Sequence, residues 1–111
     1  MKTLISAVAL LACTSVFAQQ PPRLDERLLK EAFEDNLKDA DSAKFKDLRY
    51  KPADTAGLWH MCGQVNAKNS YGAYIGFDRF AGVVVKEGKE VSYLVMTIGE
   101  VADMYCKNKG M

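Results

Sequence analysis

CGQVNAKNSYGAYIGFDRF (residues 62–80) sets three glycines and four aromatic rings around a polar group of two asparagines, a lysine and a serine. The residues before it, GLWHMCGQVNA (57–67), alternate as a strand does, with Trp59, Met61 and Val65 on one side and His60, Cys62, Gln64 and Asn66 on the other. YGAYIGFDRF (71–80) reads as the partner strand, with Tyr71, Ala73, Ile75 and Phe77 on one face and Gly72, Tyr74, Gly76 and Asp78 on the other. KNS (68–70) between them predicts a hairpin turn, because Asn69 tolerates the left-handed conformation. An antiparallel sheet follows from this hairpin.

The flanking sequence extends that sheet. GVVV (82–85) and VSYLVMTI (91–98) surround KEGK (86–89), whose Gly88 supplies the positive backbone angle of a second hairpin. KDLRY (46–50) predicts an edge strand with Leu48 and Tyr50 on one face, ended by Pro52. Phe45 is expected in the core, and Asp39, Asp41 and Ser42 favour a turn just before it. LDERLLKEAFEDNLKDA (24–40) spaces Leu29, Phe33 and Leu37 at four-residue steps beside Ala32 and Ala40, an amphipathic helix with one stripe for the sheet. Its charged face, with Glu26, Lys30, Glu34 and Lys38, is read as solvated. GEVADMYCK (99–107) reads as a terminal helical turn. The expected fold is α+β: an N-terminal amphipathic helix on a meander of four or five antiparallel strands, forming a single small domain over residues 24–111.

Residues 1–18, MKTLISAVALLACTSVFA, begin with a lysine, run through apolar residues and close on Val16 and Ala18, as an export signal cleaved before Gln19 does. The apolar run is short for a membrane span, so the mature chain is expected to hold no transmembrane segment. QQPPR (19–23) reads as a flexible spacer. An alternative is lipid attachment at Cys13, since LLAC is close to the box of bacterial lipoproteins. The chain is therefore expected in the periplasm or outside the cell.

Export sets the reading of the cysteines. Cys62 and Cys106 remain after cleavage, and an even number in an oxidising compartment predicts one disulfide between them. The alternative makes Cys62 a nucleophile activated by His60, which shares its strand face. Removing residues 1–18 removes Lys2 and leaves fourteen basic against fourteen acidic side chains. These alternate in sign along the chain with no basic stripe, which speaks against nucleic acid and against an anionic membrane surface. With one histidine, no nucleophile elbow and no phosphate-cradling loop, no cofactor is expected. His60 with Met61, Met96 or Met104 is read as core and surface rather than as a metal site.

Glycine inside a strand marks a bend, a bulge or a close approach. Gly72 and Gly76 flank Tyr74, so the sheet bends there, or the ring lies across bare backbone. The functional reading is a shallow groove walled by Tyr71, Tyr74 and Phe80, with Asn66, Lys68, Asn69, Ser70 and Arg79 hydrogen-bonding at its rim.

SAKF (42–45) together with CGQVNAKNSYGAYIGF resembles a group of small exported bacterial proteins, some in prophage regions, that share a pattern close to D-P-x-S-A-K-F and C-G-x-V-N-A-K-N-S-x-G-G-Y-x-G-F. The resemblance covers about half of the mature chain, with Ala40 in place of proline and Ala73 in place of a glycine. It implies export and fold type, and no assigned activity. Two functions follow as expectations. One is a non-catalytic binding module of the cell envelope that grips a protein, peptide or glycan through the 66–80 hairpin. The other is a small hydrolase using His60 with Cys62 or Asp78; a purely structural envelope role stands behind both.

Overall fold

The computed structural model describes residues 20–111, so the leader and Cys13 lie outside the described residues. The element order is α1 (Glu26–Ala32), a single 3₁₀ turn (Ala40–Ser42), β1 (Lys44–Pro52), β2 (Leu58–Asn66), β3 (Asp78–Glu87), β4 (Glu90–Ile98) and α2 (Glu100–Asn108). The strands form one antiparallel sheet in the order β1-β2-β3-β4. The class is thus α+β, with four strands rather than five and a C-terminal helix longer than a turn.

Period-two alternation divides the sheet as the sequence suggests. One face carries Trp59, Met61, Val65, Phe80, Val84 and Val95, and α1 closes it with Leu29 and Phe33. Phe33 meets Phe80 edge-on with centroids 4.9 Å apart, and Phe45 packs on Phe33 at 5.4 Å. The other face carries Cys62 and Ala81, against which α2 sets Ala102 and Cys106. Small alanines at that contact let the helix approach the strands. The Cys62–Cys106 disulfide spans 44 residues, which on the chain-entropy account is worth about 4 kcal/mol.

Two local expectations change. The helix was expected to run to Ala40 but ends at Ala32. Phe33 and Glu34 bond back only three residues, to Lys30 and Glu31, and Asp35 and Asn36 are poor helix formers. Its stripe survives, since Leu29 and Phe33 are fully buried and Leu37 packs at the rim. The segment expected as a flexible spacer is tied down: Pro22 is buried, and the Tyr93 hydroxyl donates to the Arg23 carbonyl at 3.2 Å while accepting from the Asp25 amide at 3.0 Å. The edge strand β1 carries a bulge between Lys46 and Arg49, where Asp47 takes φ 54°.

Among the described residues no helix is long and apolar enough to cross a membrane. The second hairpin closes as expected, with Glu87 opposite Glu90 and Gly88 at φ 61°.

Candidate functional site

β2 and β3 pair continuously from Leu58 opposite Val85 to Val65 opposite Asp78. There the ladder ends. Residues 71–77, expected as strand, form a loop with a single bridge between Lys68 and Tyr74. The expected strand fails because asparagine and serine here offer side-chain partners to the backbone in place of a neighbouring strand.

Asn69 organises the turn. Its Oδ1 accepts from the amides of Tyr71 at 2.9 Å and Ala73 at 3.2 Å. Its own amide donates to the Ala73 carbonyl at 2.9 Å, and the Gly72 amide donates to the Asn69 carbonyl at 3.0 Å. Asn66 Oδ1 accepts from the Gly76 amide at 3.1 Å and holds the returning limb. Gly72 and Gly76 sit at φ 76° and 109°, and a Cβ at either would meet nothing within 4 Å. Their glycines answer to backbone handedness, so neither the bend nor the close approach expected of them applies.

Ser42 is the third tie; sequence reasoning placed it in a turn, where it lies, but gave it no part in the loop. Its Oγ accepts from the Lys68 amide at 2.8 Å and donates to the Asp39 carbonyl at 2.7 Å. The Tyr74 hydroxyl donates to the Ser42 carbonyl at 2.9 Å. Above the Tyr74 ring stand the ammonium groups of Lys44, at 4.6 Å, and Lys68, at 5.7 Å. Such contacts contribute roughly 0.5–1 kcal/mol at exposed sites.

The expected rim and walls are therefore rearranged. Asn66 and Asn69 turn their side-chain carbonyls to the loop's own backbone, and Tyr74 is its buttress. Ser70 is exposed on the turn. Phe80 is fully buried in the core and cannot wall a groove. Arg79 turns toward α2 instead, donating to the Met111 carbonyl at 2.7 Å and lying 4.0 Å from Asp103. What the loop presents outward is Tyr71, 94% exposed, and Ile75, 78% exposed. Ile75 was not among the expected site residues; its place in the strand pattern concealed it. Beside it lies a shallow cavity of about 290 Å³, lined by Leu37, Val65, Ala67 and Ile98 with Lys38 and Asp78 at the edge. Small-molecule sites run from about 300 to 1,000 Å³, so this hollow suits a single protruding group better than a whole ligand.

The hydrolase constellation does not assemble. Cys62 is held in the disulfide. His60 stands opposite Val83 and Asp78 opposite Val65, so five residues of strand, about 16 Å, separate them. His60 Nδ1 instead shares a hydrogen bond with the Tyr105 hydroxyl beside the bridge. Burial holds the His60 pKa below its ordinary 6.5; Lys109 and Lys51 press in the same direction, and Asp54 opposes them. Among the described residues no three histidine, cysteine or carboxylate side chains gather as a metal site would require.

The chain matches no family model, no curated protein and no solved structure.

Two outcomes follow from this geometry. Asn69→Ala removes the acceptor of two amides, so exchange at Tyr71 and Ala73 is expected to quicken about fivefold while global stability falls by no more than about 1 kcal/mol. Amide exchange followed by NMR reads both, and unchanged exchange at those amides contradicts the role given to Asn69. The single histidine is expected to titrate below 6.5 in the native protein. A lowered native pKa means the unfolded chain takes up the proton first, so this stabilising contribution is complete above 6.5 and is lost as pH falls through the native value. Denaturant unfolding across that window, with His60→Gln flattening the slope, is the check.

Proposed function

We propose that this chain is an exported, non-catalytic binding protein of the bacterial cell envelope, and that the loop of residues 66–77 is its working surface. One observation carries the reading. The hydrogen-bonding side chains around the loop, from Ser42, Asn66, Asn69 and Tyr74, are turned inward to fix its backbone, while Tyr71 and Ile75 are turned out to solvent. Exposed apolar side chains occur elsewhere on the chain, at Leu94, Val101 and Met104; Tyr71 and Ile75 differ in sharing one short loop whose backbone is tied by its own hydrogen bonds. A loop already rigid loses little conformational entropy when it binds, which is how such a surface gains affinity.

Export is supported by the leader-like sequence of residues 1–18 and by the disulfide, which persists in oxidising compartments. The resemblance to small exported bacterial proteins is consistent with the same address. A binding role also fits the shallow hollow beside Ile75, which receives a side group and does not enclose a substrate.

The test is directional. A photo-crosslinking side chain placed at Tyr71, and in a second sample at exposed Glu31 on α1, is activated with the exported protein in its native envelope. Adducts, whether protein, glycan or lipid, are identified by mass spectrometry. A specific adduct at position 71 and none at 31 is expected. Equal capture at both positions, or capture at 31 alone, overturns the assignment of the loop as the working surface.

A further inference from the structure

The fold gathers around the loop a set of cations that the linear sequence scatters. Lys44 and Lys68 lean over Tyr74, and the Lys46 ammonium stands 4.2 Å from the Phe77 ring centroid. Lys38 lines the hollow beside Ile75. Among the described residues none of these four lysines is in an ion pair. Asp78, the acid nearest the hollow, already accepts from the Arg79 amide at 2.9 Å.

Alternation explains how the collar arises. Lys44 and Lys46 lie opposite Asn66 and Gln64, and the row continues along the same strand with Arg49 opposite Cys62 and Lys51 opposite His60. KFKDLRYK reads as mixed charge and apolar residues in one dimension; folded, its cations share a face. Asp47, the acid in that run, sits in the bulge and accepts from Gln64 Nε2 at 3.1 Å. Glu26, Glu31, Glu34 and Asp41 line a different hollow at α1, in the company of Arg27 and Lys30. A chain with balanced formal charge thus carries a locally basic surface.

Resting on the reading of the loop as the working surface, we propose that its occupant is an anionic phospholipid surface. Tyr71 and Ile75 enter the interface, and Lys38, Lys44, Lys46 and Lys68 meet headgroup phosphates. The exposed side chains of Tyr71 and Ile75 are apolar groups that an acyl boundary accepts without a matching pocket. Tyrosine favours that boundary, where its ring is buried and its hydroxyl stays wet. Lys44, Lys46 and Lys68 stand 4.2–5.7 Å from rings of the loop itself, and within the screening length of about 8 Å from a bilayer at physiological salt each lysine strengthens attachment to anionic lipid by about fivefold. A protein partner would require complementary acidic and concave surfaces together; a bilayer supplies negative charge and a yielding apolar layer with no shape requirement.

The experiment is vesicle co-sedimentation of the exported protein. Phosphatidylcholine vesicles with about 30 mol% phosphatidylglycerol are compared with pure phosphatidylcholine at about 0.01 M and 0.15 M salt. Two double variants are tested, Tyr71→Ser with Ile75→Ser and Lys44→Glu with Lys46→Glu, all at exposed positions that leave the core intact. Binding to the anionic vesicles, weakened by salt and reduced at least about tenfold in each variant, is expected. Absence of binding by the wild-type protein at low salt overturns the proposal, as does binding that both variants retain. If vesicles fail while the Tyr71 crosslinker captures a protein, the lipid assignment falls and the loop remains the working surface. If both fail, the loop itself loses its role.

Discussion

Gly63 and Phe80 face each other across β2 and β3, and the packing of the domain depends on that contact. A Cβ at Gly63 would lie 2.9 Å from the Phe80 ring and from Leu48, closer than side chains approach. Bare backbone at this one position lets a phenylalanine lie flat in the sheet's core. Phe33 then packs on Phe80 from α1 and Phe45 completes the group from β1, so helix, edge strand and central ladder share one cluster. On the reverse face the Cys62 to Cys106 bridge fastens α2 one residue away. The central strands are thereby held from both sides just before the chain leaves them.

That double anchorage makes a rigid loop possible. Chain leaving a well-packed ladder at Asn66 and returning at Asp78 starts and finishes in fixed positions, so a few hydrogen bonds suffice to order what lies between. Each is worth only about 1 kcal/mol. Together they connect the turn to itself through Asn69, to its returning limb through Asn66 and to the 3₁₀ turn through Ser42. The apolar groups left over point to solvent, and the lysines of β1 stand beside them. The arrangement separates two tasks: the core supplies stability, and the loop presents a surface.

Much of the fold was legible in the sequence and most of the site was not. Period-two alternation assigned the faces of β2 correctly, because one face is buried in the core while the other is mostly half-exposed. Leu48, Tyr50 and Phe45 fell where the edge-strand reading put them. The disulfide followed from cysteine number and the expectation of export. The loop was read as strand because YGAYIGF alternates convincingly; alternation says nothing about whether a hydrogen-bonding neighbour exists, and Asn66 and Asn69 had already taken those amides. A ring lying across bare backbone of a neighbouring strand was anticipated for Tyr74; it occurs instead with Phe80 at Gly63. The role of Ser42 depends on an approach between segments 26 residues apart, which no local pattern records. SAKF and CGQVNAKNSYGAYIGFDRF, singled out together in the sequence, lie in contact in the fold: Ser42 bonds Lys68, Lys44 covers Tyr74, and Phe45 packs on Phe80.

The central claim is that residues 67–77 form a fixed surface and not a flexible connection. Backbone ¹⁵N relaxation on the protein tests it without reference to any partner. Order parameters for Lys68 through Phe77 are expected to match those of β2 and β3, at about 0.85. Values below about 0.6 across Tyr71 to Gly76 would contradict the account, since a loop that samples many conformations in free solution holds neither Tyr71 nor Ile75 ready to bind.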